Sequence, residues 1–243
     1  MGDFLSVCET TVIYTASTPD FTKGYLKCIE EHRGVQWWAQ SQSFSNLVIH
    51  WLVTNPGPVM LLVDDACFRV EPNDSHMKVC EGILVDETVI GVSLRLCGRI
   101  NYCYSKNRKA PRPSLIDHGR HLTWAWCGAS PDWGYPMSLD GTVFRSGELQ
   151  RILKGVEFAH PNALEQYLAE HPPDRPQMAC LHDSLVFGVP MTRVQDVVDN
   201  RYAGIDHVAL NREYLDGKRL NLKPIRGYLN RSVHEEVPFV WQA

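Results

Sequence analysis

The sequence predicts an α/β fold, a sheet flanked by helices, and three observations carry that expectation. The first is the stretch from Pro58 to Phe68, PVMLLVDDACF. Val59 to Val63 is an uninterrupted apolar run, the pattern of a strand buried on both faces in a parallel sheet, and it stops abruptly at Asp64 and Asp65. The second is the alternation that leads up to it, strand-like and helix-like segments in the order β-α-β-α-β. That order implies parallel strands joined by right-handed crossovers. The third is length: 243 residues suffice for a substantial core in one large domain.

The elements follow in order. Thr10 to Ala16, TTVIYTA, is rich in β-branched and aromatic residues and reads as a strand. Ser17 or Thr18 can cap the next helix, and Pro19 suits its first turn. Phe21, Tyr25, Leu26 and Ile29 recur at helical spacing, and Gly34 ends the run. Val35 to Ala39 reads as a second strand. Phe44, Leu47, Val48, Trp51 and Leu52 mark a second amphipathic helix closed by NPGP. The Asp-tipped strand comes next, expected at the centre of the sheet and parallel to the first.

Beyond it, Glu81 to Asp86 reads as a short helix or turn, and Val89 to Leu96 as a strand. Asn101 to Tyr104 and His121 to Trp126 read as short strands. Pro136 and Gly141 bracket a further strand, and a helix opens at Ser146 and ends near Gly155. Asn162 to Glu170 is helical, with Asn162 as its expected cap. Met178 to Val189 is an apolar strand region, Val194 to Asn200 a helical turn or loop, and Asn211 to Leu215 a short helix ended by Gly217. Leu220 to Ile225 is expected to be extended, and SVHEEVPFVW to close a sheet.

Composition excludes several functions. The formal charge is −4 with both signs interspersed, which does not suit a nucleic-acid protein. No run reaches membrane-spanning length, and the N-terminus lacks the basic and long apolar segments of a secretory signal. Eight cysteines are scattered singly, without zinc-type spacing, as buried thiols of a reducing compartment would be. The chain therefore reads as cytoplasmic. The basic stretch Ser105 to Ser114 reads as a solvated loop, with a phosphate-contacting flap as the sharper alternative.

Four sets of residues point to chemistry. Asp64 and Asp65 end a strand where ligands of open α/β sheets bind. Adjacent carboxylates repel, and a hard divalent cation such as Mg²⁺ or Mn²⁺ relieves the repulsion while leaving positions for phosphate oxygens. The competing reading is an Asp-rich turn. Arg95 and Arg99 flank Gly98 and offer bidentate phosphate recognition. Asp132, Trp133, Tyr135 and Asp140 place carboxylates beside aromatic rings, a combination that suits sugars, with an aromatic core under a loop as the equal alternative. His234 precedes Glu235 and Glu236 and is able to complete a metal shell begun elsewhere.

Six stretches together resemble a family. VIYTASTPDFTKGY, MLLVDDACF, VSLRLCG, DWGYPMSLDGTVFR, HPNALEQYL and LNLKPIRGYLNRSVHEEVPF look like successive blocks of bacterial glycosyltransferase-like proteins. These belong to the nucleotide-diphospho-sugar transferase superfamily, with the A-type glycosyltransferase fold. The resemblance implies one Rossmann-like domain over residues 1–243, a mixed sheet flanked by helices. Residues 1–100 would form its nucleotide- and metal-binding half and residues 101–243 its acceptor-binding half. It implies a metal-dependent transferase moving a sugar from a nucleotide-diphosphate donor to a glycan or other acceptor, with Mn²⁺ or Mg²⁺ as cofactor.

By the same resemblance, Asp65 and His234 would be metal ligands. Thr15, Ser17, Asp64 and Arg95 would face the donor. Glu165 and Asp140 would be catalytic, and Trp133 and Tyr135 would meet the acceptor. The family carries a further strand and helix before the VIYTAS block, whereas ten residues precede Thr11 here. An exposed sheet edge and oligomerisation are the expected consequences. Cys97 also interrupts an R-L-G block. A non-catalytic nucleotide- or sugar-binding protein of the same fold and a nucleotidyltransferase remain alternatives.

Overall fold

The computed structural model describes residues 8–192 and 201–242. In chain order these form β1 (Thr11–Tyr14), α1 (Pro19–Glu31), β2 (Gln36–Ala39), α2 (Phe44–Thr54), β3 (Pro58–Leu61), β4 (Ala66–Phe68) and α3 (Asp74–Ile83). Then come β5 (Val89–Ser93), β6 (Tyr102–Cys103), β7 (Arg108–Lys109), β8 (Ile116–Asp117), β9 (His121–Ala125), β10 (Thr142–Arg145) and α4 (Ser146–Leu153). The last are α5 (Pro161–Glu170), β11 (Gln177–Leu181), β12 (Val186–Gly188) and α6 (His207–Leu215). The expected turn at 194–200 lies outside the described residues. None of the described helices is long and apolar enough to cross a membrane.

The main sheet has six strands in the order β3-β10-β5-β11-β9-β8 and is mixed: only β5 and β11 run parallel. It takes β3 and β5 from the first hundred residues and the other four strands from the rest of the chain. β5 is its buried strand, with all five residues enclosed. Gly91 in β5 lets the neighbouring β10 approach, since a Cβ there would stand 3.0 Å from both the Phe144 ring and the Val143 carbonyl. The main core gathers Leu52, Ile90, Trp124, Trp133, Phe144, Leu149 and Leu168 from α2, the sheet, the turn between β9 and β10, α4 and α5.

The first β-α-β unit folds as the alternation predicts: β1 and β2 pair in parallel around α1. Thr18 caps α1 by accepting from the Phe21 N–H at 3.3 Å, and Pro19 opens its first turn. The third strand departs from expectation. β3 is the edge strand of the main sheet, and its ladder runs antiparallel to β10 rather than parallel to β1, which pairs with β2 in a separate two-stranded sheet. The apolar run is accordingly covered only in part. Val59 is buried, Met60 and Leu61 are half-buried and Leu62 is 37% exposed. β10 occupies the place beside β3, a non-local pairing that a local apolar pattern does not encode.

Smaller departures have local causes. The strand expected between Pro136 and Gly141 begins after Gly141, whose φ of 74° closes the preceding turn. α5 is capped by His160, whose Nδ1 accepts from the Ala163 N–H at 3.2 Å, two residues before the expected Asn162. α3 starts earlier than read, at an Asn73–His76 capping box. Lys223 to Gly227 is a turn rather than an extended stretch, and the C-terminal segment makes the isolated bridges Gly188–His234 and Leu220–Trp241. All eight cysteines are free.

Candidate active site

The antiparallel placement of β10 between β3 and β5 puts the carboxyl ends of β3 and β5 beside the start of β10, with Thr142 paired to Leu61 on one side and Ser93 on the other. Asp65 follows β3, Arg95 follows β5 and Asp140 precedes β10, so three charged residues distant in sequence share one end of the sheet. The backbone locks these loops together. Gly141 N–H donates to Leu61 at 2.9 Å, Leu94 N–H to Gly141 at 2.8 Å and Leu185 N–H to Leu94 at 2.8 Å.

The C-terminal segment reaches the same point through β12. Gly188 is paired with Ala66 of β4 on one side and bridged to His234 on the other. Val189 N–H donates to the Asp65 carbonyl at 2.9 Å, and Glu235 N–H to that of Gly188 at 3.0 Å. Gly188 is needed for the closeness of this approach, because a Cβ there would stand 2.3 Å from His234 Cδ2.

Arg95 and Asp140 form a buried ion pair. His234 Nε2 lies 3.3 Å from Asp140 Oδ2 and 3.2 Å from an Arg95 guanidinium nitrogen. The other arm of Arg95 donates to Ser138 Oγ at 2.6 Å. Glu165 Oε1 accepts from the Leu139 N–H at 3.0 Å and from Ser138 Oγ at 3.2 Å, so a hydrogen-bonded chain joins Glu165 to Arg95.

The electrostatics of the two acids differ. Burial, then the negative charge of Asp140, pushes the Asp65 carboxyl up to about 6, against a smaller opposing influence of His234 and Arg95. Burial also acts to raise Asp140, but Arg95 followed by His234 outweighs it and holds that carboxyl below the ordinary range. Asp132 is raised by burial, partly offset by the thiol of Cys103 and by Arg95 and His234. The Oδ1 atoms of Asp65 and Asp140 and Oδ2 of Asp132 are buried without hydrogen-bond partners. Buried carboxylate oxygens left in this state are costly unless a ligand meets them.

Those orphaned oxygens are hard donors of the kind Mg²⁺ and Mn²⁺ take. His234, by contrast, directs Nε2 at the Asp140–Arg95 pair. Among the described residues no three His, Cys, Asp or Glu side chains are grouped so as to hold an ion by themselves. The arrangement fits a cation that takes one or two carboxylates and draws its other ligands from water and phosphate.

The remaining sequence-predicted residues are placed as follows. Asp64 is exposed beside α1, where its charge raises the Tyr25 hydroxyl after burial has done so. Thr15 and Ser17 are exposed in the loop after β1. Arg99 is paired with Asp183. Tyr135 is 38% exposed. Trp133 is core: it is fully buried, and its ring meets Trp124 edge-on at 4.9 Å, leaving no face for an acceptor. The residues sequence reasoning missed are Ser138 and Gly188. A glycine at the end of an apolar strand signals close backbone approach, which marks Gly188; Ser138 had no comparable signal.

The comparison with curated proteins finds one informative relative. The chain is similar to the bifunctional glycosyltransferase pgtA of Dictyostelium discoideum, 26% identical over 219 residues that cover 78% of this chain. It spans 28% of the length of that relative. No family model and no solved structure matches the chain.

Proposed function

We propose that the protein is a glycosyltransferase of the A-type fold. In this reading it moves a sugar from a nucleotide-diphosphate donor to an acceptor hydroxyl with the help of a divalent cation. The observation that carries the reading is the convergence of Asp65, Asp140, Arg95 and His234 at one end of the sheet, with two carboxylate oxygens left unpartnered. The similarity to a glycosyltransferase supports it.

Asp65 and Asp140 would hold the cation through their free oxygens, and His234 would steady Asp140 or enter the shell itself. Held there, a divalent cation such as Mn²⁺ or Mg²⁺ would supply the positive charge that offsets the charge developing on the diphosphate leaving group. Arg95 keeps Asp140 ionised and oriented. Asp64, with Thr15 and Ser17 at the end of β1, faces the donor's ribose and sugar. The acceptor oxygen bonds to the anomeric carbon while that carbon's bond to the diphosphate breaks. Glu165, its carboxylate fixed by Leu139 and Ser138, takes the acceptor's proton.

The reading is tested by incubating the protein with a panel of nucleotide-diphosphate sugars and following release of nucleoside diphosphate with and without Mn²⁺. Cation-dependent release from at least one donor, lost in Asp65→Asn, is the expected result. No release from any donor, with nucleotide binding retained, favours the non-catalytic alternative.

A further inference from the structure

We infer that the cleft beside His234 is a binding site for a neutral saccharide, serving as the acceptor site of the transfer proposed above; the inference rests on that reading. The cleft has a volume of about 500 Å³, within the range of small-ligand sites. Tyr102, Tyr104 and Tyr228 supply its aromatic lining. Each ring is held by its hydroxyl. Tyr102 donates to Asn107 at 2.6 Å, Tyr228 to Glu235 at 2.7 Å and Tyr104 to Glu236. Tyr104 is buried beneath Arg201, so the half-buried rings of Tyr102 and Tyr228 are the ones left as low-entropy platforms for the apolar faces of sugars.

The charge of the cleft selects among ligands. Arg201 and Arg231 are matched by Glu235 and Glu236. The Arg201 guanidinium lies 4.5 Å over the Tyr104 ring and 3.2 Å from Glu236. A diphosphate or a phosphorylated ligand needs surplus positive charge, which this balance denies. The Arg201–Glu236 pair and the Arg231 guanidinium, which among the described residues meets only the Asn101 side chain at 3.4 Å, instead offer donors and acceptors to hydroxyls.

Position ties the cleft to the buried acids. Arg231, Glu235 and Glu236 of its lining belong to the segment that carries His234. Ser232 Oγ accepts from the Tyr104 N–H at 3.0 Å, and the N–H groups of Asn101 and Tyr102 donate to the Arg231 carbonyl at 3.0 and 3.1 Å. Glu235 of the lining follows directly on His234, whose Nε2 meets Asp140 at 3.3 Å, and this is the link from the cleft to the acids. This surface replaces the buried Trp133 as the acceptor platform.

The test uses the full chain and saturation-transfer NMR with lactose, maltose, cellobiose and chitobiose, and with inorganic pyrophosphate as the charged probe. At least one disaccharide is expected to bind. Tyr102→Ala should weaken that binding at least tenfold, while Tyr102→Phe, which keeps the ring, should retain it. Three results would overturn the inference: no disaccharide binding, binding unchanged in a folded Tyr102→Ala protein, or pyrophosphate binding that Arg231→Gln abolishes. Cation-dependent nucleoside diphosphate binding, measured on the same samples, separates the two readings. Its loss with saccharide binding intact counts against the transferase, and its retention without saccharide binding counts against the cleft.

Discussion

Asp65→Asn separates stability from function. The Asp65 carboxyl stands at about 6 in the folded protein against an ordinary value of 3.8, so the native state binds a proton that the unfolded chain has released. A raised carboxyl favours the native state fully below 3.8 and loses that advantage as pH rises through 6. Above 6 the ionised carboxylate is a net burden. The difference of about 2 units corresponds to roughly 3 kcal/mol. Asparagine keeps the volume and removes the charge, so at pH 8 in chelator the variant should be more stable than wild type by up to about 3 kcal/mol. For a chain of this size that is a rise in Tm of roughly 6–12 °C. At pH 5 the gain should fall to about half, because the wild-type carboxyl is then largely protonated in the native state. Thermal unfolding followed by circular dichroism at the two pH values checks both numbers. A variant no more stable than wild type at pH 8, or a gain that does not change with pH, would refute the argument that Asp65 is held strained for a ligand.

Two further perturbations follow from the same cluster. Arg95→Met leaves Asp140 as a buried carboxylate without its cation and should cost about 3–5 kcal/mol in denaturant unfolding; adding Asp140→Asn to it should recover part of the loss. Gly188→Ala drives a methyl into His234 and should cost about 1–3 kcal/mol, and it should weaken cation-dependent nucleotide binding along with stability.

Much of the fold's first third was legible because its signals are local. The Thr18–Pro19 start, the apolar stripes of the first two helices and the parallel pairing around α1 all stand as read. The acids after β3 were marked by the abrupt end of an apolar run. What escaped is non-local. Nothing near Val59 announces that β10, some eighty positions later in the chain, pairs beside it, so an edge strand looked like a central one. Trp133 sits in a turn-rich stretch that read equally as a sugar site or as an aromatic core under a loop; it is core, enclosed by Trp124 of β9, whose ring N–H donates to the Trp133 carbonyl at 2.9 Å. Asp140 was marked by the family resemblance, whereas its pairing with the buried Arg95 across the sheet is non-local and carried no signal in the sequence. His234 reaches the cluster because Gly188 has no side chain, a condition visible only once both strands are in place.

The most direct test of the central claim, that the acids at this end of the sheet form a cation–diphosphate site, is titration calorimetry of a nucleoside diphosphate in the presence and absence of Mn²⁺. Wild type should bind only with the ion, Asp65→Asn should lose that binding, and His234→Ala should weaken it less, since water can take a vacated position. Equal binding by wild type and Asp65→Asn, or binding indifferent to Mn²⁺, would contradict the claim.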